Sequence, residues 1–289
     1  MTSPTALSPT NTVPRRGRIR GRTSAGQWVR RVIVAAYLFL LVLWPVSLVV
    51  VNTFDGGLTN LQTAFSDPQI TFALRLTVIV AVQAVIINTV FGVGISLLLV
   101  RYDFPGRGIL SALIDLPLSV SPVVVGLALL LAYGGTNGLF GPALNDAGIQ
   151  IAFSTPGIVM ATAFVALPLV IREIVPVLTE IGTEQEQAAR SLGAGGWQTF
   201  RRITLPSIKW ALVYGVVLSL ARALGEFGAV KVISGNVAGL TQTATLAVEE
   251  KYQDFEQGTA YATAFLLALI AVAALVVVTF LRPKDDHGD

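Results

Sequence analysis

Two ionisable residues stand four positions apart in an otherwise apolar run near the end of the chain. Arg222 and Glu226 fall on one face of a predicted helix, where a guanidinium and a carboxylate at this spacing form an ion pair. Ionisable groups in such a run are expensive to bury, so they pair with one another or face a water-filled path. Two interpretations follow: the pair fixes helix packing, or Arg222 offers positive potential to an anion.

A second candidate set is a stretch rich in proline and serine. Its members are Pro117, Ser119, Ser121, Pro122 and Gly126. Proline removes a backbone donor and bends a helix, which frees backbone groups that serine hydroxyls can satisfy. Such groups suit an anion that must be held without being trapped by a tight ion pair. The alternative is a proline kink that serves packing alone.

The inventory of side chains argues against catalysis. The chain has no cysteine and a single histidine, His287, which removes thiol catalysis, disulfides and Cys/His metal sites. No carboxylate pair or nucleophile with a base has catalytic spacing. There is also no G-x-x-x-x-G-K-[ST] phosphate loop. We therefore predict a protein that is not an enzyme and holds no metal or cofactor of its own.

The elements that must position these residues are membrane helices. The sequence is 53% hydrophobic and 13% charged, with a mean hydropathy of +0.70, outside the balance of a soluble domain. A spanning helix needs about 20 mostly apolar residues. The pattern predicts an all-α, polytopic membrane protein. Its six predicted spans are 32–52, 74–100, 109–133, 156–177, 210–234 and 260–281.

The charges of the loops predict how these spans are oriented. Seven arginines between residues 15 and 31 precede the first span. The loop between spans two and three, the loop between spans four and five and the C-terminal tail are also basic. The positive-inside rule then places both termini in the cytoplasm and explains the formal charge of +3 without nucleic-acid binding. We predict a disordered basic tail at 1–31, a transmembrane domain at 32–281 and a cytoplasmic tail at 282–289. The polar loop between spans five and six suits an extracytoplasmic partner.

The cytoplasmic loop at 182–206, here called the elbow, has the pattern of two short helices. Thr183 and Glu186 form a predicted capping box, Gly193 ends the first helix and Pro206 is predicted to stop the second. Three apolar residues at three-residue spacing form a predicted knob: Trp197, Phe200 and Ile203. Such a segment either docks in another protein's groove or rests on the membrane surface.

The elbow resembles the EAA loop of bacterial ABC importer permeases. The residues that carry the resemblance are Ala188, Ala189, Gly193, Ile203, Leu205 and Pro206. It implies that the elbow, with Trp197, docks on a separate ATPase that binds ATP and Mg²⁺, and transmits nucleotide-driven closure to the membrane helices. One departure is that Gln187 stands where the family has glutamate, which puts a contact requiring a carboxylate in doubt.

Longer segments are similar to permeases of the sulfate/thiosulfate importer family, and to its W-type subunit more than to the paired one. They read DLPLSVSPVVVG, TFRRITLPSIKWALVYG and ARALGEFGAVKVISGN, and the similarity extends from about residue 70 to 280. The resemblance implies a type I (MetI-like) permease fold with its core at about 70–281, in the bacterial inner membrane and in contact with lipid. It also implies a homologous second permease, two copies of an ABC ATPase and an extracytoplasmic sulfate-binding protein.

Three alternatives remain open. Molybdate and tungstate permeases share much of the same pattern. An ion-gradient-driven anion transporter or channel would need titratable residues in several spans, and the candidates here are Arg222 and Glu226. A membrane scaffold would leave the elbow without an ATPase partner.

Overall fold

The computed structural model describes residues 25–135 and 137–280, and every regular element in these ranges is helical. The helices are α1 (Ala25–Leu38), α2 (Trp44–Thr53), α3 (Thr59–Ser66), α4 (Pro68–Arg101), α5 (Arg107–Ser119), α6 (Pro122–Tyr133), α7 (Gly141–Asp146), α8 (Thr155–Ile181), α9 (Glu184–Ser191), α10 (Gly196–Thr199), α11 (Leu205–Leu224), α12 (Gly228–Ile233), α13 (Ala244–Gln253) and α14 (Gln257–Phe280). Two π-helical turns, Phe39–Leu43 and Phe200–Thr204, complete the set within these ranges.

The chain divides into two compact units, Met1–Leu48 and Val49–Asp289. In the first unit the described apolar side chains are exposed on all sides. The helical stretch Trp28–Thr53 is long and apolar enough to cross a membrane, and an all-round apolar helix of this length belongs in lipid. This agrees with the predicted span 32–52. The helix begins at Ala25, inside the predicted basic tail, whose residues 1–24 lie outside the described ranges, as does the tail 282–289.

Three helices, α4, α8 and α11, pack together at the centre of the second unit. Glycines allow their backbones to approach closely: a Cβ on Gly92 would lie 2.7 Å from Val170 Cγ1, and one on Gly215 would lie 2.9 Å from Val170 Cα. A buried amide also links α4 to α11, because Asn88 Nδ2 donates to Ser219 Oγ over 3.3 Å. Small residues and interhelical hydrogen bonds thus hold the core.

The third predicted span, 109–133, is two helices rather than one. In the described residues five helical stretches are long and apolar enough to cross a membrane, and α5 with α6 makes a sixth span bent by 116°. The break lies between Ser119 and Pro122, where the sequence predicted a kink. The predicted count of six spans is confirmed in this form.

The bounds predicted for the fifth span, 210–234, are wrong. A continuous helical stretch runs from Gly196 to Leu224, and α12 follows after a break. The prediction that Pro206 stops the elbow's second helix is therefore also wrong. Proline lacks an N–H and would leave a carbonyl unpaired in a regular helix. Here a π turn precedes the proline, and the Leu205 N–H donates to Phe200 O. Pro206 therefore occupies the first turn of α11, where proline is tolerated.

Candidate functional site

The glycine turn of the elbow is built as the sequence predicts. Gly193 has a φ of +86°, which favours glycine, and it follows the end of α9. Its N–H donates to Arg190 O over 2.9 Å, and the Ala194 N–H donates to Ala189 O over 3.0 Å. This pair of bonds is a Schellman motif, which satisfies carbonyls at the end of a helix.

The exposed apolar surface of the elbow differs from the predicted knob. Trp197 is 72% exposed, but Phe200 and Ile203 are partly buried, and Phe200 packs against the core between α8 and α11. Leu192, which the sequence analysis did not single out, is 90% exposed. A hollow of about 280 Å³ separates Leu192 from Gln198. The surface available to a partner is therefore Leu192, Trp197 and this hollow.

The predicted capping box is wrong. Thr183 does precede α9, yet its side chain accepts no capping hydrogen bond. The Glu186 carboxylate is buried, and it accepts from Arg101 Nε and, over 2.9 Å, from Thr204 Oγ1. A buried carboxylate is stabilised more by a charged partner than by a backbone N–H, so Glu186 pairs with the Arg101 guanidinium and does not cap α9.

The remaining motif residues lie in α9 or at the start of α11. Gln187 is exposed, and its Nε2 donates to Thr183 Oγ1 over 2.9 Å. Ala188 is exposed and Ala189 is partly buried beside the hollow. Leu205 and Pro206 belong to the start of α11.

The ion pair between Arg222 and Glu226 is present, and its two members have different environments. Arg222 Nη1 lies 2.7 Å from Glu226 Oε2, without the alignment of a hydrogen bond. The Glu226 side chain is 1% exposed, whereas that of Arg222 is 35% exposed. Glu226 Oε1 accepts the Ala229 N–H over 2.9 Å, which ties α11 to α12 across the break. Glu226 is thus a structural group, and Arg222 is the member that can meet a ligand.

The break in the third span lies against the break in the fifth. A Cβ on Gly228 would lie 3.0 Å from Pro122 Cβ, and one on Gly126 would lie 2.6 Å from Ala229 O. Ser119 and Ser121 are both exposed at this break, and the Ser121 side chain makes no capping hydrogen bond. The sequence suggested that these hydroxyls could satisfy backbone groups freed by the kink. They do not do so here, and they are available to other groups.

The sequence analysis missed several ion pairs of the described residues, and two of these hold side chains of α4 and α8. Arg172 in α8 pairs with Asp115 in α5, with Nη2 3.0 Å from Oδ1, and Arg101 in α4 pairs with Glu186 in α9. Arg172 and Asp115 fall inside predicted spans, so the rule that ionisable residues in apolar runs have partners could have found them. Nothing in the spacing along the chain indicated which residues would pair.

The polar segment before α14 is held by its own ion pairs. Lys251 Nζ lies 2.9 Å from Glu256 and 3.5 Å from Asp67, and Lys231 pairs with Glu249. The hydrogen bond that the Lys251 ammonium donates to Glu256 raises the pKa of that ammonium, with smaller contributions from the nearby charges, against a lowering by burial. The lysine therefore stays charged at neutral pH and links α13 to the start of α4.

Comparison with known proteins identifies the family. The model of the binding-protein-dependent transport system inner membrane component family matches residues 88–284. The chain belongs to this family. As an inner membrane component with several apolar helices, it is a multi-pass membrane protein.

Relatives in the family are similar along most of the chain. Sulfate transport system permease protein CysW of Synechococcus elongatus is 47% identical over 248 residues, which cover 86% of each chain. CysW of Escherichia coli strain K12 is 45% identical over 257 residues, covering 89% of this chain and 87% of the relative. Sulfate transport system permease protein CysT of the same strain is 38% identical over 244 residues, covering 84% and 86%. The resemblance to sulfate permeases is confirmed.

The fold is shared with a solved ABC transporter. A chain from the crystal structure of a bacterial transporter involved in the import of the acidic polysaccharide alginate matches with a TM-score of 0.73. The match covers 89% of this chain and 95% of the other at 16% identity, so it carries the fold alone. The type I permease fold expected from the sequence is confirmed.

Proposed function

We propose that this chain is the membrane-spanning subunit of an ATP-driven importer that carries sulfate, and with it thiosulfate, into the cytoplasm. The observation that carries the proposal is the 45–47% identity with sulfate transport permeases over most of both chains. The Schellman turn and exposed Leu192 and Trp197 supply the surface through which an ATPase would act. Molybdate and tungstate importers are the competing assignment.

The proposed assembly contains four further chains. A homologous second permease completes the pathway, two copies of an ABC ATPase bind ATP and Mg²⁺, and an extracytoplasmic binding protein delivers the anion. Both termini face the cytoplasm of a bacterial inner membrane, and no nucleic acid takes part. In this mechanism ATP closes the ATPase pair, the elbow moves with it, and the pathway opens outward to receive sulfate.

Uptake by the reconstituted complex tests this function. Vesicles holding the two permeases and the ATPase, with binding protein outside, are expected to take up labelled sulfate only with internal ATP. Uptake is expected to persist when proton gradients are collapsed, since ATP is the energy source. Excess thiosulfate should compete more strongly than molybdate or tungstate. Stronger competition by molybdate or tungstate would reassign the substrate, and loss of uptake on collapse would indicate a secondary transporter.

We propose that Arg222 guides the anion, together with the hydroxyls of Ser119 and Ser121 at the break before Pro122. Arg222 is the partly exposed member of its ion pair, and Pro122 lies against Gly228, the first residue of α12. The charge of Arg222 attracts the anion, and the ion pair with the buried Glu226 keeps that attraction from becoming a trap.

The variant Arg222→Gln is expected to lower sulfate uptake at least about tenfold, equivalent to about 1.4 kcal/mol. Arg222→Lys, which keeps the positive charge, should retain most of the uptake. Both variants are compared in purified complexes with matched ATPase content. Equal uptake by Arg222→Gln and the native chain would leave the pair a packing contact.

A further inference from the structure

A buried ionic cluster lies where the elbow meets the membrane helices. It consists of Arg101, Glu186 and Thr204, and both charged side chains are only 10% exposed. Arg101 Nε donates to both carboxylate oxygens of Glu186, at 3.2 and 3.1 Å, and Thr204 Oγ1 donates to Oε1. The second arm of the guanidinium, Nη1, donates to Leu178 O over 3.0 Å.

The three residues of the cluster, and the Leu178 carbonyl that Arg101 binds, come from four different helical segments. Arg101 is the last residue of α4, Leu178 lies in the last turn of α8, Glu186 belongs to α9 and Thr204 ends the π turn before α11. The Leu178 carbonyl belongs to the group of helix-end acceptors that a regular helix leaves unpaired, and a cation is favourable there. One guanidinium therefore joins the inner ends of two membrane helices to the elbow.

The chain on either side of α9, the first helix of the elbow, turns at a glycine. Gly182, which joins α8 to α9, has φ 68° and ψ −159°, a conformation open in practice to glycine alone, and an added Cβ would meet nothing within 4 Å. At the other end Gly193, with φ +86°, separates α9 from the continuous helix Gly196–Leu224. The angle of α9 therefore depends on the contacts that its side chains make.

The cluster is packed closely enough to fix that angle. The residual cavity among its members has a volume of about 10 Å³, at the lower limit for one water molecule. Directly beside it lies an apolar core that includes Leu178 and Ile208. In this dry setting charge-assisted hydrogen bonds are strong and directional, and Arg101 holds the Glu186 carboxylate through Nε and the Leu178 carbonyl through Nη1.

We propose that Arg101, Glu186 and Thr204 are positioning residues that make the elbow and the inner ends of α4 and α8 a single lever, so that force on the elbow moves the membrane helices. The inference rests on the proposed import function for its consequence, and on the geometry above for the lever itself. Without the cluster, the elbow would still bind an ATPase, but α9 would swing about Gly182 and Gly193 without moving α4.

The absence of cysteine in the chain allows a direct test. Nitroxide labels on Leu98→Cys in α4 and Ser191→Cys in α9, both exposed positions, report the distance between helix and elbow in the full-length chain in lipid nanodiscs. The native cluster is expected to give a narrow distance distribution. The double variant Arg101→Met/Glu186→Met removes both charges together and so avoids an unpaired buried ion, which would threaten folding in the single variants.

The double variant is expected to fold with native thermal stability, to widen the distance distribution at least about twofold, and to lower sulfate taken up per ATP hydrolysed at least about fivefold. Arg101→Lys, which keeps the charge without the two-armed fork, should widen the distribution to a smaller extent. The matched control is Asp103→Met/Arg107→Met, an exposed ion pair next to the same helix end, which should change neither readout.

A native width in the double variant would overturn the proposal, because the pair would then only stabilise the fold. A widened distribution with native uptake per ATP would also overturn it. Should the native complex show no ATP-driven sulfate uptake, the proposed function fails, while the label distances still decide whether the cluster positions the elbow.

Discussion

Gly193 and Gly195 have the same side chain but different conformational needs, although they lie two residues apart in the elbow. Gly193 has a φ of +86°, and Gly195 has a φ of −69° that any residue can adopt. An added Cβ on either would meet nothing within 4 Å. Any difference between alanine variants at these two sites therefore reports backbone conformation alone.

Gly193→Ala is expected to destabilise the Schellman turn by about 1–2 kcal/mol, the cost of a left-handed residue with a Cβ. Association with the ATPase should weaken by a factor of about 5 to 30, since the turn presents Leu192 and Trp197. Gly195→Ala is the control and should bind as the native chain does. Binding of each variant to surface-attached ATPase measures its affinity. Equal affinities of the two variants would show that the turn does not contribute to docking.

Glu186 shows where reasoning from sequence reaches its limit at this scale. Its spacing from Thr183 matched a capping box, and α9 does begin there. The partner that decided its conformation, Arg101, lies 85 residues away in the sequence. Local spacing predicted the helix correctly and the side-chain contact wrongly, because a buried carboxylate pairs with a nearby cation even when that cation is distant in the sequence.

At the scale of helices, close packing depends on which glycines face a neighbour. Gly92 and Gly94 lie two residues apart in α4. A Cβ on Gly92 would clash with Val170, whereas one on Gly94 would meet nothing within 4 Å. The pair isolates packing between α4 and α8 from helix propensity.

Gly92→Ala is expected to lower stability by about 1–3 kcal/mol, because the extra methyl group forces α4 and α8 apart. Gly94→Ala should raise stability by about 0.5–1 kcal/mol through its better helix propensity. Melting of the purified chain, followed by the fraction that stays monodisperse in detergent, measures both. Similar losses for the two variants would mean that helix contact at Gly92 is looser than described.

The membrane helices were predictable because apolar length is a strong signal, and their ends were less so. The break of the third span was visible in its prolines and serines. The start of the fifth span could not be predicted, since Pro206 indicated a helix end and the π turn that accommodates this proline has no sequence signature. The partial burial of Phe200 likewise depended on packing against α8 and α11, which spacing within the elbow does not specify.

On the scale of the whole molecule, the elbow carries more exposed positive than negative charge. Arg190, Arg201 and Arg202 are exposed there, opposed by Glu184, while Glu186 is neutralised internally by Arg101. A partner groove that accepts this surface should be acidic. Exposed charges are screened by salt, so the interaction should depend on ionic strength.

Raising the salt concentration from about 0.1 M to 1 M shortens the Debye length from about 10 Å to about 3 Å, and we expect ATPase affinity to fall at least about tenfold. Arg201→Gln/Arg202→Gln should reduce both the affinity at low salt and its salt dependence. Lys251→Gln, which alters a charge near the start of α14, serves as the control. Salt-independent binding would assign the docking energy to Leu192 and Trp197 alone.

The length of α4 sets it apart from the other helices of the second unit. Its 34 residues extend for about 50 Å, well beyond a hydrocarbon core of about 30 Å. The described residues of α14, Gln257–Phe280, number 24 and extend for about 36 Å. A helix longer than the hydrocarbon core must tilt or locally thicken the bilayer, so α4 is the helix on which bilayer thickness acts most. The acyl-chain length of the surrounding lipids is therefore expected to set the tilt of α4.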